Sequence, residues 1–382
     1  KAEDQIRIVK NGQTFEGILI PRSEYGDDTH VVIKIRSGYN LGIKVTPETR
    51  IERIGAGAKL TFHPPPLPEQ KPHLPKVAII STGGTIASRV DYRTGGVRSA
   101  LSASDLYSVV PELSEIALID AQILYSLFSE NITPKHWSEI AETAAHHIGK
   151  GVAGVVIAHG TDTMGYTAAA LSFALQDLPV PVILVGSQRS ADRPSSDAAT
   201  NLTGAVTATA RAPFAEVVLA MHETISDKAI VFHRGTRVRK CHTSRRDAFK
   251  SVNAKPLARV MDGHVEMLTA DYRKRDSDRK FVLKPHFDEK VALIKFHPGL
   301  DPRIIEWYID EGYRGIVFEG TGLGHISHYC YSAVRRAIEN KMVAAMTSQC
   351  IWGRLQMNVY DTGRDLLEMG VIPLEDMLPE TA

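Results

Sequence analysis

Two short polar loops carry threonine hydroxyl groups, which could attack the carbonyl carbon of an amide. The first is Ser81-Thr82-Gly83-Gly84-Thr85-Ile86, and the second is His159-Gly160-Thr161-Asp162-Thr163-Met164. Each loop follows a run of β-branched and small apolar residues, 77–80 and 155–158, which is typical of a buried parallel strand. Ligands of open α/β sheets bind at the carboxyl ends of such strands. We therefore expect both loops to line a ligand crevice.

A threonine hydroxyl needs a base or a nearby cation before it becomes a useful nucleophile. Asp162 follows Thr161 directly, and Lys240 lies in the basic run Thr236-Arg237-Val238-Arg239-Lys240-Cys241-His242-Thr243. A lysine beside other cations can act as a base, oriented by an aspartate. Backbone N–H groups of the glycine loops, which include Gly84 and Gly160, can form an oxyanion hole. This constellation predicts acyl transfer to water.

Each of these residues also has a structural interpretation. A Thr-Gly-Gly-Thr loop after a strand can cradle a phosphate, although this chain lacks the Gly-Lys-Ser/Thr ending of a phosphate-binding loop. Asp162 fits a helix cap equally well. Lys240 and the nearby arginines fit a solvated basic face. His159 could be catalytic, but at the end of a buried strand it is more typical of a satisfied core histidine.

The composition narrows the class of protein. The 382 residues hold 45 Lys and Arg against 44 Asp and Glu, so charge does not suggest an extended nucleic-acid surface. No apolar stretch approaches the roughly 20 residues of a membrane span, and residues 1–4 show no secretory signal. We therefore expect a cytoplasmic protein without membrane contact. The chain has three widely spaced cysteines, Cys241, Cys330 and Cys350. We expect them to be buried small hydrophobic residues that form neither a disulfide nor a metal site.

The chain divides into four segments. Residues 1–62 alternate in short strand-like runs and predict a small β-barrel-like module. Residues 63–75 are proline-rich and predict an extended linker. Strands then alternate with helix-length amphipathic segments, which predicts a larger α/β domain with a parallel sheet at 76–283 and a smaller α/β domain at 284–382.

The ordered motifs of the α/β part resemble those of the bacterial-type L-asparaginase family. They are Thr82-Gly83-Gly84-Thr85-Ile86-Ala87, His159 to Met164, Gly186-Ser187-Gln188-Arg189, Phe249-Lys250-Ser251-Val252-Asn253 and Asp361-Thr362-Gly363-Arg364. The resemblance covers about residues 76–376. It implies an asparaginase-like α/β fold and an amidohydrolase whose nucleophile is a threonine.

The resemblance also implies a role for each matched residue. Thr85 takes the place of the primary nucleophile. Attack is assisted by Thr161, Asp162 and Lys240. The implied substrate-binding positions are Ser126, which meets an α-carboxylate, Tyr92, which belongs to a lid over the site, and Gly84 and Gly160. No metal or cofactor is implied for this chain.

The module and linker ahead of the catalytic part are similar to those of the glutaminase subunit of the archaeal glutamyl-tRNA(Gln) amidotransferases. That resemblance implies a glutaminase that supplies ammonia to a companion kinase/amidase subunit, which uses ATP and Mg²⁺ to convert Glu-tRNA(Gln) to Gln-tRNA(Gln). It further implies a homodimer within a heterotetramer and tRNA contact mainly through the partner. Two alternatives stay open, a free-standing cytoplasmic L-asparaginase and a non-catalytic scaffold. The sequence does not distinguish glutamine from asparagine, because one methylene changes binding by only about 1–3 kcal/mol.

Overall fold

The computed structural model describes residues 4–20, 29–35, 40–56, 71–84, 86, 88–90, 97–99, 110–189 and 196–382. Most of the proline-rich segment, together with Thr85 and Tyr92, lies outside these ranges. Strands and helices are numbered in chain order.

The N-terminal segment forms a five-stranded antiparallel sheet in the order β4-β3-β2-β1-β5. Its strands are β1 (Gln5–Lys10), β2 (Gln13–Leu19), β3 (His30–Lys34), β4 (Asn40–Lys44) and β5 (Arg50–Gly55). Asn11 and Gly12, both with positive φ, make the tight turn between β1 and β2. A small core of isoleucines holds the sheet together: Ile6, Ile8, Ile33 and Ile43. The alternating strands are as the sequence indicates, whereas closure into a barrel stays a prediction.

The larger domain is built on an eight-stranded sheet in the order β18-β17-β14-β13-β12-β10-β6-β9. The first five of its strands in chain order are β6 (Lys76–Gly83), β9 (Leu118–Leu127), β10 (Gly154–Ala158), β12 (Val182–Val185) and β13 (Val217–His222). These five pair in parallel with one another. Helices cover both faces, which is the doubly wound arrangement that the sequence predicts: α1 (Pro134–Gly149), α2 (Met164–Ala174) and α3 (Ala198–Arg211).

One edge of this sheet adds antiparallel strands to the parallel arrangement. The remaining strands pair antiparallel with their neighbours: β14 (Ala229–Arg234), β17 (Ala258–Met261) and β18 (His264–Met267). The turn between β17 and β18 contains Asp262 and Gly263, both with positive φ. Such a turn reverses the chain after two residues, and an antiparallel pairing follows from it.

Two apolar clusters lie on opposite faces of this sheet. One packs α3 against alternate residues of the central strands, such as Val77 and Val156. The other packs α1 and α2 against the intervening residues, such as Ala78 and Val155. Strand residues inside the sheet are therefore buried on both faces, which explains why the sequence shows continuous apolar runs rather than alternation.

Short strand pairs complete the larger domain. They are β7 (Ser88–Val90) with β8 (Val97–Ser99), β11 (Leu175–Gln176) with β19 (Val282–Leu283), and β15 (Val238–Lys240) with β16 (Phe249–Ser251). Short 3-10 helices occur at Pro111–Glu115, Ser129–Asn131 and, in the smaller domain, His328–Cys330.

The smaller domain is a four-stranded parallel sheet in the order β20-β21-β22-β23. Its strands are β20 (Val291–Lys295), β21 (Gly315–Gly320), β22 (Val343–Ser348) and β23 (Ile372–Pro373), and its helices are α4 (Arg303–Asp310), α5 (Tyr331–Glu339) and α6 (Asp361–Met369). Its apolar core is separate from those of the larger domain. The domain is therefore a second α/β unit, as expected.

The expectation that all three cysteines are buried is wrong for two of them. Cys330 is buried in the smaller domain, whereas Cys241 and Cys350 are exposed. Cys241 follows directly after β15, and Cys350 lies two residues after β22, so both occur where the chain leaves a strand for the surface. Among the described helices, none has both the length and the apolar character needed to cross a bilayer.

Candidate active site

The two glycine loops touch each other at their backbones. Gly84 has a φ of +78°, and a Cβ built on it would lie 2.4 Å from the backbone nitrogen of Gly160. Gly83, with a φ of +112°, lies against the backbone of Leu127 on β9, where a Cβ would lie 2.2 Å from the carbonyl oxygen. No side chain fits at either position. These glycines therefore allow the ends of β6, β9 and β10 to approach closely.

The second loop leads from β10 into α2. Thr161 is 9% exposed, and the hydroxyl of Thr163 donates a hydrogen bond to the carbonyl oxygen of Ser129, 2.6 Å away. Gly160 also faces Ser129, where a Cβ would lie 2.8 Å from that residue's Cβ. The segment at 129 thus fixes the second loop from outside. Sequence reasoning missed Ser129, whose only signal is its position three residues after Ser126.

Lys240 joins this loop from a distant part of the chain. Its Nζ lies 2.8 Å from Oγ1 of Thr161 and 2.8 Å from Oδ1 of Asp162. The lysine side chain is 14% exposed, whereas that of Asp162 is 71% exposed. Because solvent screens the carboxylate, the ion pair alone contributes little stability. The role of the ion pair is to orient the lysine, because it directs the ammonium group to the hydroxyl of Thr161.

Two predicted site residues lie near the glycine loops on β9 and β6. Ser126 precedes Leu127, which is paired with Gly83 in the sheet, and its side chain is exposed. Gly84 donates its backbone N–H to the carbonyl oxygen of Leu127 over 3.2 Å. The described residues thus bring together one group of predicted positions, which are Gly84, Ser126, Gly160, Thr161, Asp162 and Lys240. Thr85 and Tyr92 lie outside the described residues, and their roles stay predictions.

His159 belongs to the core rather than to the crevice. Burial lowers the pKa of its imidazole to about 4. Its Nδ1–H faces the carbonyl oxygen of Gly160 at 2.7 Å, and Nε2 lies 2.9 Å from the hydroxyl of Thr167. That hydroxyl in turn accepts a hydrogen bond from Nε1–H of Trp137 over 3.0 Å, which leaves its own proton for the histidine. Both ring nitrogens are satisfied by a neutral imidazole, which is the structural interpretation given above.

The cationic side chains in and just after the basic run form ion pairs, and their exposure ranges from 14% for Lys240 to 53% for Arg245. All five lysine and arginine side chains of residues 236–246 pair with a carboxylate at 2.5–2.8 Å. The pairs are Arg237 with Asp376, Arg239 with Glu380, Lys240 with Asp162, Arg245 with Asp247, and Arg246 with Asp227. Two of these carboxylates belong to the smaller domain. The run therefore connects the candidate site with residues 376–380.

A polar cavity of about 520 Å³ lies elsewhere on the larger domain. Its lining includes Glu216, Arg234 and Tyr272, and none of the predicted site residues. Arg234 is already bonded to Glu216 over 2.8 Å. Within the part of the chain that the structure describes, no group of three or more metal-binding side chains occurs. The candidate site therefore consists of the glycine loops and Lys240.

Comparison with known proteins assigns the fold to one class. Residues 76–273 match the family model described as "Asparaginase, N-terminal", and residues 290–382 match "Glutaminase/Asparaginase C-terminal domain". The thermostable L-asparaginase from Thermococcus kodakarensis is similar in structure, with a TM-score of 0.71 and 32% identity over 80% of this chain and 90% of that one. L-asparaginase I from Vibrio cholerae has a TM-score of 0.70 and 29% identity over 81% of this chain and 90% of that one. The chain is therefore an asparaginase-like protein.

Comparison with relatives that match nearly the whole chain identifies a narrower family. Residues 1–54 match the model described as "GatD N-terminal domain". The GatD subunit of the glutamyl-tRNA(Gln) amidotransferase of Methanopyrus kandleri is 50% identical over 99% of this chain and 84% of that protein. The GatD subunit of Pyrococcus horikoshii is 52% identical over 99% of this chain and 87% of that protein. The chain belongs to the GatD family of glutamyl-tRNA(Gln) amidotransferase subunits.

Proposed function

We propose that this chain is the glutaminase subunit of a tRNA-dependent amidotransferase. It hydrolyses glutamine and supplies ammonia to a partner chain, which converts Glu-tRNA(Gln) to Gln-tRNA(Gln). The observation that carries the proposal is the contact of Lys240 with both Thr161 and Asp162 beside the joined glycine loops. Family membership along nearly the whole chain favours this role over that of a free-standing asparaginase.

In the proposed chemistry, Thr85 is the nucleophile. Its hydroxyl oxygen attacks the carboxamide carbon of glutamine, and its proton moves to the leaving nitrogen with the help of Thr161 and Lys240. Ammonia departs and leaves an ester on Thr85. Water then attacks this ester, which releases glutamate and restores the hydroxyl. Each step is an acyl transfer that leaves the oxidation state of every atom unchanged.

Several described residues of the candidate site support this chemistry. Gly84 and Gly160 let the two loops lie against each other, and we assign the oxyanion hole to backbone N–H groups of these loops, because fixed donors are most effective there. Asp162 keeps an exposed carboxylate that can meet the α-ammonium of the substrate while holding Lys240. Ser126 has an exposed side chain next to the same loops, which suits contact with the α-carboxylate. Tyr92 is assigned to a lid by resemblance.

The partner is proposed from the family. We assign ATP- and Mg²⁺-dependent activation of the tRNA-bound glutamate to the companion kinase/amidase subunit, and most of the tRNA contact to the same partner. The near-zero net charge of this chain is consistent with that division, because tRNA binding is favoured by a strong basic field. We further propose a cytoplasmic heterotetramer containing two copies of this chain.

The test is an ammonia-release assay with glutamine and with asparagine, with and without the companion subunit and Glu-tRNA(Gln). We expect slow glutamine hydrolysis by the chain alone, a marked increase with both additions, and loss of activity in Thr85→Val. A faster reaction with asparagine that ignores the additions would identify a free-standing asparaginase instead. Thr85→Val with unchanged hydrolysis would remove the proposed nucleophile.

A further inference from the structure

The strand that carries Lys240 is held on its other side by residues near position 380. Side chains alternate along a strand, so Arg237 and Arg239 project away from the face that Val238 and Lys240 share. Val238 is 2% exposed and belongs to the apolar cluster under α1 and α2. The two arginines instead reach the smaller domain. β15 is thus fixed between the apolar core on one side and charged contacts on the other.

The charged contacts come from residues 376–381, which we call the C-terminal clamp. Nη1 of Arg237 lies 2.8 Å from Oδ2 of Asp376 and donates to that residue's carbonyl oxygen over 3.1 Å. Nε of Arg239 donates to Oε1 of Glu380 over 2.5 Å. The hydroxyl of Thr381 donates to the carbonyl oxygen of Thr236 over 3.0 Å. These contacts are made by residues 236, 237 and 239, which lie immediately before Lys240 in the sequence.

The clamp also reaches the strand paired with β15. Nδ2 of Asn253, two residues beyond β16, donates to the carbonyl oxygens of Asp376 and Gly353 over 3.2 and 2.8 Å. Backbone N–H of Gly353 donates back to Oδ1 of Asn253 over 3.0 Å. Both strands of the small pair are therefore tied to the smaller domain.

The Arg239–Glu380 pair is largely withdrawn from water. The side chains are 21% and 11% exposed, and Oε1 of Glu319 lies 3.8 Å from Nη2 of Arg239. Oε2 of Glu380 is buried and has no hydrogen-bond partner among the described residues. The negative charge of this carboxylate is therefore balanced mainly by Arg239. Removing one member of such a pair leaves the other charge without its main partner in a largely buried position, which is destabilising.

We propose that Arg239 and Glu380 are positioning residues that hold Lys240 at Thr161 and Asp162. Neither residue is placed in contact with the substrate. Their ion pair fixes the strand from the face opposite Lys240, so a small shift of this pair displaces the amine from both of its partners. This inference rests on the proposed function, because it assumes that Lys240 takes part in glutamine hydrolysis.

The variants Glu380→Gln and Glu380→Asp test the inference in the amidotransferase complex. We expect Glu380→Gln to lower kcat about tenfold or more with little change in KM, because a misplacement of about 1 Å in a catalytic group is that costly. The pH–rate profile of glutamine hydrolysis should shift as well, since Lys240 loses its partners. Glu380→Asp keeps the charge and should recover part of the loss.

A double-mutant cycle with Arg239→Gln separates coupling from general damage. If the two residues act through one contact, the double variant loses no more kcat than the more severe single variant. A matched control is Glu306→Gln, which removes the carboxylate of a partly exposed ion pair with Arg336 in the smaller domain. We expect this control to retain the wild-type kcat and pH profile.

A second measurement does not depend on turnover. Acetylation of Lys240 by an amine-reactive ester, followed by peptide mass spectrometry, reports on the environment of the amine. We expect Glu380→Gln to increase the rate of Lys240 acetylation relative to that of exposed Lys228 in the same sample. All comparisons are made well below the melting temperature of each variant, so that only folded protein contributes.

Lys240→Met separates the failure of this inference from failure of the proposed function. Wild-type turnover in Lys240→Met would contradict the role of the lysine in hydrolysis, and with it the mechanism proposed above. If Lys240→Met is inactive while Glu380→Gln keeps wild-type kcat, pH profile and Lys240 acetylation, the positioning proposal is overturned alone. A multiplicative loss in the double variant would likewise overturn it.

Discussion

Nζ of Lys240 lies 2.8 Å from Oγ1 of Thr161, although 79 positions separate the two residues in the chain. The contact unites the loop after β10 with the short strand β15, which belong to different sheets. Thr161 is nearly buried and Lys240 is mostly buried, so both are held by their surroundings before any substrate arrives. Such preorganisation is what electrostatic catalysis of acyl transfer requires.

Lys240→Met should reduce kcat for glutamine hydrolysis by about 10²–10⁴-fold, the range typical of losing a group that moves a proton. Methionine keeps most of the length of the side chain, so the fold should be retained. The measurement is steady-state ammonia release, with the melting temperature as a check on folding.

Lys228→Met provides the matched control. Lys228 is an exposed lysine between β13 and β14, and it is not one of the predicted site residues. Its replacement should leave kcat and KM at their wild-type values. Equal losses in both variants would mean that the effect of Lys240→Met is not specific to the site.

Gly84→Ala should destabilise the protein by about 3 kcal/mol or more. The added methyl group would lie 2.4 Å from the backbone nitrogen of Gly160, and the φ of +78° is unfavourable for alanine. The collision involves backbone on both sides, so no side chain can turn aside to relieve it. Urea denaturation followed by circular dichroism measures the change.

Gly149→Ala is the corresponding control at the end of α1. A Cβ at this position meets no atom within 4 Å. Alanine is favoured over glycine in a helix by about 0.5–1 kcal/mol, so this variant should be as stable as the wild type or slightly more stable. A stable Gly84→Ala protein would show that the two loops do not touch as described.

Much of the architecture follows from local sequence. The buried strands are recognisable as continuous β-branched runs, and α1 begins at Pro134 after Thr133, whose hydroxyl and backbone N–H both bond with the ring of His136. The helix α1 and the loops after β6 and β10 can therefore be predicted from residues that are close together in the sequence. The close approach of Gly84 to Gly160 does not follow from such nearby residues, because glycine at these positions predicts close approach of a ligand, whereas in the structure the two loops approach each other.

Other features depend on contacts between distant residues. β15 has a single buried apolar residue, Val238, within a charged run, so no periodicity indicates a strand there. Arg239 and Glu380 are 141 positions apart, and nothing near either residue specifies the other. For the same reason, the sequence allows the basic run to be interpreted as solvent-exposed, whereas tertiary packing pairs Arg237, Arg239 and Lys240 with carboxylates that are distant in sequence.

Arg275→Lys should destabilise the larger domain by about 2–4 kcal/mol. The guanidinium of Arg275 donates to three backbone carbonyl oxygens, those of Ala153, Thr209 and Ala212, over 2.7, 2.8 and 3.1 Å. Burial lowers the pKa of this arginine, so the charge depends on these bonds more than it would at an exposed position. A lysine has one nitrogen and cannot reach three acceptors that are arranged around a planar group.

Arg273→Lys tests whether the effect is specific to that arrangement. The side chain of Arg273 is 51% exposed and forms an ion pair with Asp177 at 3.3 Å. Its replacement should change stability by less than about 0.5 kcal/mol, as is usual for exposed positions. Comparable losses of stability in both variants, measured by urea denaturation, would contradict the special role of the three carbonyl contacts.

His233 should make the folded protein less stable as the pH falls. Burial lowers the pKa of its imidazole from 6.5 to about 3, with a further contribution from the nearby charge of Lys250. Between these two values the unfolded chain binds the proton and the folded chain does not. The contribution of His233 to the free energy of unfolding is therefore unaffected by pH above about 6.5. On acidification below that value, protonation of His233 in the unfolded chain lowers the free energy of unfolding by about 1.4 kcal/mol per pH unit.

The variant His233→Phe removes this titration while filling the same buried space. The hydrogen bond from His233 to Ser251 is lost, so the variant starts less stable at about pH 7, but its stability should fall less between about pH 6.5 and 5. The difference amounts to about 2 kcal/mol over that range. His264→Phe, at an exposed position in β18, should keep the wild-type slope. Parallel pH dependences of wild type and His233→Phe would mean that His233 takes up its proton in the folded protein as readily as in the unfolded chain.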